Sequence, residues 1–308
     1  MVTAAIVGAL LSSCITTRLR PATSKLALWT TALREQQPED AFAAVYRVGD
    51  KRLIFVGARH ENRVESATFR MIADAYAAFD IDHVIVEGFP TSRGPNSQRI
   101  IDYVSQAPSD GRVEAGETTP AVLGALREGA EFWGGEPEDA DVKARVLAEG
   151  IPAEDVLGFY VLRSVPQWIG ERRIEHAGDS RLRVLIEEEL VRARARLSLD
   201  PTVLSGYDVW ASWYENLNGR PIGPTFVTEE VGPLYEGAFP SNKIAFAVSR
   251  ARDAHLHEEI VAQMKADKTV LVVFGGSHLM IQRPALDAAL GRPCYIGASL
   301  RDALAACG

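Results

Sequence analysis

The sequence predicts an α/β domain with a largely parallel central sheet, flanking helices and a helical insertion. Short apolar runs alternate with segments of helical periodicity along most of the chain. One strand–helix–strand succession has short links, which is typical of a right-handed crossover between parallel strands. Residues 152–218 are mainly of helical pattern, and no Pro/Ser-rich linker separates two halves. These observations favour one domain that carries an insertion.

The first predicted elements are a hairpin and the strand–helix–strand unit. Two short apolar runs flank Gly49 and Asp50, two residue types that tolerate the positive φ of a tight turn. Residues 63–79 have apolar side chains three and four positions apart, which predicts an amphipathic helix. Residues 82–87 follow as a buried strand, so the sheet is expected to be parallel here.

A second alternation of helices and strands completes the domain. Its first part has predicted helices at 97–105 and 120–128, a strand at 130–133 and a helix after Pro137. Its last part has a helix at 249–266, a strand at 269–274, a helix at 284–290 and a strand at 294–296. Within the insertion, the charged side chains of residues 187–196 are expected to form a solvated helix face.

Composition excludes several classes of protein. The 308 residues carry 41 acidic and 33 basic side chains, a net charge of −8, so nucleic acid is not expected as a partner. Cys14, Cys294 and Cys307 are the three cysteines, and none belongs to a Cys-x-x-Cys motif. Local motifs therefore predict neither a disulfide framework nor a thiolate zinc site. Catalysis would have to rest on His, Asp, Glu, Arg or Ser.

The first residues resemble a targeting signal. Residues 1–13 are nearly uncharged and apolar, and they end in Leu-Ser-Ser before Cys14, which resembles a bacterial lipobox. In that interpretation 1–13 are a lipoprotein signal peptide and Cys14 is acylated. Residues 14–40 are then a tether and N-terminal segment, and 41–308 form the domain, anchored in the cell envelope. The alternative is a cytoplasmic protein whose first strand or helix is buried and ends in a structural cysteine.

Two predicted strands are each followed by a histidine in the same Gly-x-x-His pattern. Gly57 and Gly275 each follow a buried apolar run, and His60 and His278 come three residues later. Because ligands bind at the carboxyl ends of parallel strands, these two histidines are expected to meet in one crevice. The repetition favours a functional site over two unrelated structural histidines.

Acidic residues occur at comparable strand ends. Glu87 directly follows an apolar run, and Glu136 follows another with two glycines between. A carboxylate in such a position needs a cation, a metal or a shared proton, because burial of an unpaired charge is costly. For Glu136 a second interpretation stands beside the functional one: Glu138 and Asp139 favour the N-terminal turn of a helix there.

A cluster of charged residues opens the predicted helix at 249–266. Arg252 in this cluster can orient a carboxylate or stabilise an anionic intermediate through its fork of donors. His255 and His257 are two positions apart and do not share a helix face, so both are expected at the surface.

Taken in order, these motifs resemble the TraB/PrgY/GumN (TIKI) family, within the larger erythromycin esterase-like and ChaN-like superfamily. The resemblance spans about residues 45–300. It rests on Gly57 to His60, Glu87 with Arg93, Glu136, Arg252 to Leu256, and Gly275 to His278. Two departures stand out: the Gly-Gly-Glu-Pro around Glu136 is unlike the family pattern, and Ala58 replaces a Glu of the esterase-like members, which argues against a macrolide esterase.

The resemblance implies a single α/β domain with a mixed sheet and a hydrolase of peptide or ester bonds. Its catalytic residues would be His60, Glu87, Glu136, Arg252 and His278. The expected ligands of a divalent Mn, Co or Zn ion are His60 and His278 with one or both of Glu87 and Glu136. Arg252 would stabilise an oxyanion. A His–Glu pair acting as general base without metal remains open.

The resemblance also implies partners and one rival function. The substrate would be a peptide or a small-molecule ester, and the membrane would be reached through acylated Cys14. ChaN-like members are haem-associated lipoproteins, so the alternative is an envelope lipoprotein that binds haem or a peptide without catalysis.

Overall fold

The computed structural model describes residues 19–106 and 110–308, and the chain divides into two compact units. The sheet unit comprises the described residues up to Ala27, Leu33–Pro137 and Asp253–Gly308. The helical unit comprises Leu28–Ala32 and Glu138–Arg252, and the expected insertion at 152–218 falls within it. The predicted signal peptide and Cys14 lie outside the described residues.

A six-stranded mixed sheet, mostly parallel and flanked by helices, confirms the predicted fold class. The strands are β1 (Phe42–Val48), β2 (Lys51–Ala58), β3 (His83–Pro90), β4 (Glu131–Glu136), β5 (Val270–Gly275) and β6 (Tyr295–Gly297). Their order is β4-β3-β5-β2-β1-β6. The pairs β2–β5, β5–β3 and β3–β4 are parallel, whereas β1 is antiparallel to β2 and β6.

Helices account for most of the remaining chain. They are α1 (Thr31–Glu35), α2 (Ala67–Ala78), α3 (Gln98–Val104), α4 (Thr118–Glu128), α5 (Asp139–Ala148), α6 (Ala153–Leu162), α7 (Val165–Gly170), α8 (Leu182–Leu197), α9 (Tyr207–Asn218), α10 (Pro240–Lys265), α11 (Gly276–Leu290) and α12 (Leu300–Cys307). Among the described residues no helix combines the length and the apolar character that crossing a bilayer requires.

The sheet has two buried faces because successive side chains of a strand point to opposite sides. On β2, Ile54 and Val56 pack in a cluster with α2 and α4. Leu53 and Phe55 pack on the other face with residues of α10 and α11. Both strand ends that carry a Gly-x-x-His motif are thereby anchored in a rigid core.

Strand β5 separates the two strands of the predicted strand–helix–strand unit. As expected, β2 and β3 are parallel, and Gly49 with φ of 64° makes the tight turn of the preceding hairpin. The chain passes from β2 through α2 to β3, but these two strands are not neighbours in the sheet. Strand β5, which comes much later in the sequence, lies between them. Consequently, the carboxyl ends of β2, β5 and β3 lie side by side at one edge.

Two helices begin earlier than the sequence predicts. The side chain of Asn242 accepts a hydrogen bond from the Phe239 N–H at 2.8 Å and donates to the carbonyls of Glu229 and Gly232, which fixes the start of α10 at Pro240. Pro284 lies inside α11 rather than at its start. The prediction used proline as a first helical residue, which is its favoured position in a helix, whereas Pro284 is an interior residue of α11.

A disulfide joins Cys294 and Cys307, which the local cysteine motifs did not predict. The two residues are 13 apart in sequence and share no short motif. They meet because α12, which was not predicted, packs against β1 and β6. Its sequence signal was Ser299, whose hydroxyl accepts a hydrogen bond from the Asp302 N–H at the N-cap.

Candidate functional site

Three predicted residues meet at the carboxyl edge of the sheet. His60 follows β2, Glu87 lies in β3, and His278 is in the first turn of α11, directly after β5. The Nε2 atom of His278 lies 3.5 Å from Oε1 of Glu87, and Nε2 of His60 lies 3.9 Å from Oε2. We call His60, Glu87 and His278 the strand-end cluster. Its two imidazoles flank the two oxygens of a single carboxylate.

The end of β5 approaches His60 closely at Gly275. A Cβ on Gly275 would lie only 2.7 Å from Nε2 of His60, closer than side-chain contacts allow. The main-chain N–H of Gly275 also donates a hydrogen bond to Oε2 of Glu87 at 2.8 Å. The Gly-x-x-His motif of β5 therefore supplies His278 and, at the same time, makes room for His60.

Each imidazole contacts a second carboxylate through its Nδ1 atom. Nδ1 of His60 lies 2.6 Å from Oε1 of Glu117, at the N-cap of α4. Nδ1 of His278 lies 2.7 Å from Oδ1 of Asp253, on α10. Such a contact fixes the ring orientation. In a neutral ring it also fixes the tautomer and leaves Nε2 as a proton acceptor.

Sequence reasoning had not assigned either supporting carboxylate to the site. Asp253 stood within the Arg-Asp motif that carries the family resemblance, so a signal for it existed. Glu117 gave none, because it belongs to a loop whose path depends on tertiary contacts such as the bridge between Arg63 and Arg112.

The two histidines differ in exposure. The His60 side chain is 65% exposed, whereas His278 and Asp253 are 9% and 1% exposed. The hydrogen bond with Glu117 raises the pKa of His60 above its ordinary value, assisted by the charge of Glu87 and opposed by burial. Burial also acts to lower the pKa of His278, but the charges of Asp253 and Glu87 outweigh it and raise that pKa to about 10.

Two cavities adjoin the strand-end cluster. One, of about 530 Å³, is lined by His60, Asn62 and Arg63, among others. A second of similar volume is lined by Glu87 together with Phe89, which makes an edge contact with the nearby ring of Tyr103. Both volumes are in the range of small-molecule sites. The cluster thus borders space that a substrate of moderate size can enter.

The other two predicted site residues are placed as follows. Glu136 ends β4, where its main-chain oxygen accepts a hydrogen bond from the Thr91 hydroxyl at 3.2 Å. Arg252 is the last residue of the helical unit. Burial raises the pKa of Tyr160 and lowers that of Arg163, and the nearby charge of Arg252 acts to lower both. Their catalytic roles stay predictions.

His257 does not lie at the surface as predicted, and His255 lies there only in part. His257 is fully buried; its Nε2 accepts a hydrogen bond from the Ala22 N–H at 3.0 Å, and its Nδ1 faces Gln282 Oε1 at 3.1 Å. His255 is half-buried and lies 2.8 Å from the Thr91 hydroxyl. Packing on more than one face of α10 explains how residues two apart are both covered.

The donor types of the strand-end cluster are those that bind divalent ions. Two imidazoles, each with a carboxylate on its other nitrogen, plus a third carboxylate are common around metals. As placed, however, the described residues contain no group of three His, Cys, Asp or Glu that could hold a metal ion. Metal binding stays a prediction, and the chemistry below is derived from the side chains themselves.

No protein-family model, curated protein or solved structure matches the chain. The resemblance to the TraB/PrgY/GumN family accordingly rests on the motifs alone, and the function has to be argued from the strand-end cluster.

Proposed function

We propose that the protein is a hydrolase of ester or peptide bonds, with the strand-end cluster as its catalytic centre. The observation that carries the proposal is the placement of two imidazoles on either oxygen of Glu87, 3.5 and 3.9 Å away. Ordering so many titratable groups costs desolvation and side-chain entropy, and such clusters are concentrated at functional sites.

His60 is the general base. It is the exposed member of the cluster and lines a cavity, so its Nε2 can take a proton from a water molecule. The water oxygen forms a bond to the substrate carbonyl carbon as this O–H bond breaks. The carbon–oxygen or carbon–nitrogen bond then breaks, and the proton on His60 passes to the leaving group. Glu117 acts as a positioning residue that keeps Nε2 directed at the reaction.

His278 supplies positive charge. Held by Asp253, its imidazolium stabilises the negative charge that develops on the carbonyl oxygen, while Glu87 fixes both rings in place. Arg252 is a second candidate for this role, as the sequence predicts. The resemblance also implies a divalent metal for some members of the family. Activity is therefore to be measured both in chelator and with added metal ions.

We also propose that the protein resides in the cell envelope, anchored through acylated Cys14. The disulfide between Cys294 and Cys307 supports an oxidising compartment, where such bonds persist. Labelled palmitate should be incorporated by the wild type and not by Cys14→Ala. Equal labelling of the two proteins would contradict the anchor.

A substrate panel tests the hydrolase. Purified protein is assayed on activated esters and on peptides, beside His60→Ala and the control Glu128→Gln, which removes an exposed carboxylate on α4 that pairs with its neighbour Arg127. We expect turnover by the wild type and the control, and loss in His60→Ala at an unchanged melting temperature, because the ring is exposed. No turnover together with a haem Soret shift would instead support a binding lipoprotein without catalysis.

A further inference from the structure

Four arginines line one cavity in the helical unit. The cavity measures about 460 Å³ and is bordered by Arg163, Arg173, Arg192 and Arg196, with Glu189 as the carboxylate among its lining residues. The chain as a whole is acidic, with a net charge of −8, so this concentration of guanidinium groups does not follow from its composition. The sequence had placed residues 187–196 on a solvated face, which is wrong for Glu189: it is 7% exposed.

The buried carboxylate is already used by two of these arginines. Glu189 accepts hydrogen bonds from Nε of Arg192 at 2.9 Å and from Nη2 of Arg196 at 2.8 Å. Arg196 also lies 3.2 Å from Asp139. These contacts hold the two guanidinium groups in fixed positions at the cavity wall. Pre-positioned donors lose less side-chain freedom when a ligand binds.

Arg163 differs from Arg192 and Arg196 in its partner, which is an aromatic ring and not a carboxylate. Its guanidinium lies over the ring of Tyr160, 4.0 Å from the centroid, and within the described residues it has no ion pair. Burial lowers its pKa; the nearby charges of Arg252 and Arg196 act in the same direction, and those of Tyr160 and Asp139 oppose them. An anion in the cavity would relieve this repulsion.

We propose that the cavity binds a small soluble molecule that carries a phosphate group. Arginine forks match phosphate oxygens in pairs, and stacking on Tyr160 leaves an edge of the Arg163 guanidinium available for such contacts. The volume suits a compact ligand rather than a polymer. The argument is independent of the proposed hydrolysis, because none of these arginines belongs to the strand-end cluster.

Calorimetric titration of the full-length protein with inorganic pyrophosphate at low ionic strength tests the site. We expect one molecule to bind per chain and Arg163→Gln to weaken binding by about tenfold or more. Arg163→Lys, which keeps the charge and loses the fork, should fall in between. The matched control is Arg181→Gln, which removes a cation of the same unit that pairs with Asp179 outside the cavity, and it should bind like the wild type.

Three results would overturn the proposal: no heat of binding by the wild type, equal weakening in Arg181→Gln, or unchanged binding in Arg163→Gln. Circular dichroism of each variant confirms that it is folded. If Arg163→Gln does not fold, Arg163→Lys provides the test. If the protein co-sediments with phosphatidic acid vesicles but does not bind pyrophosphate, the arginines contact a membrane surface. That result would also reject a soluble ligand.

Discussion

Nδ1 of His278 lies 2.7 Å from Oδ1 of Asp253, and both side chains are almost completely shielded from water. The same ring faces Glu87 with its other nitrogen. A buried imidazole between two carboxylates is held as a cation, since loss of its proton would leave both negative charges without their shared partner. His60 differs from it by being open to solvent. The cluster thus combines a fixed charge with a group that can exchange protons.

Asp253→Asn should lower the pKa of His278 from about 10 towards its ordinary value, since a neutral amide no longer favours the imidazolium. Titration of the ring by NMR measures this shift. Breaking a buried pair also costs stability, by about 3 kcal/mol in urea unfolding. A His278 pKa that stays where it is in Asp253→Asn would show that Asp253 does not hold the charge.

Glu117→Gln should move the pH dependence of hydrolysis. Because the pKa of His60 is raised, and the base must be neutral, kcat/KM of the wild type should rise with pH through a value above the ordinary 6.5. In Glu117→Gln that rise should shift to lower pH, and the maximum rate should fall by about 100-fold as the ring loses its support. The same profile in Glu117→Gln as in Glu128→Gln, which alters an exposed carboxylate of the same helix, would contradict the positioning role.

Gly275→Ala tests the geometry without removing a polar group. The added methyl would occupy space 2.7 Å from Nε2 of His60. The exposed ring can rotate away, so we expect the melting temperature to be nearly unchanged and hydrolysis to fall by about 100-fold. Gly170→Ala is the control, because a Cβ there meets nothing within 4 Å. Equal activity of the two variants would show that the contact between β5 and His60 is irrelevant to catalysis.

His83 should make the protein sensitive to acid. It is fully buried, both ring nitrogens lack a hydrogen-bond partner among the described residues, and Glu131 Oε2 lies 3.6 Å from Nδ1. Burial and the charge of Lys268 lower the pKa of His83 from 6.5 to about 4. The neutral form is favoured by folding, so stability is fully present above about pH 6.5 and is lost as pH falls towards 4, by about 3 kcal/mol in total.

His83→Leu removes this titration. Urea unfolding at about pH 7.5 and about pH 4.5 should show a much smaller loss of unfolding free energy for the variant than for the wild type. The same loss in both proteins would assign the acid sensitivity to other groups.

The sequence predicted those parts of the site that depend on local pattern. A buried run followed by Gly-x-x-His placed His60 and His278 at strand ends, and the apolar run before Glu87 placed that carboxylate beside them. The neighbour of β2 was not predictable in this way, because β5 comes more than 200 residues later and sequential strands are usually expected to be adjacent. Glu117 reaches His60 only through the path of a loop, which leaves no sequence signal. Asp253 belongs to a recognisable Arg-Asp motif, but its contact with His278 depends on helix packing.

The central claim is that Glu87 and its two imidazoles form the hydrolytic centre, and Glu87→Gln tests it most directly. The variant keeps the shape of the side chain and removes its charge. We expect kcat/KM on the best substrate of the panel to fall by about 100-fold or more, both in chelator and with added Mn²⁺, Co²⁺ or Zn²⁺, while the protein stays folded. Activity within about threefold of the wild type in Glu87→Gln under both conditions would contradict the account.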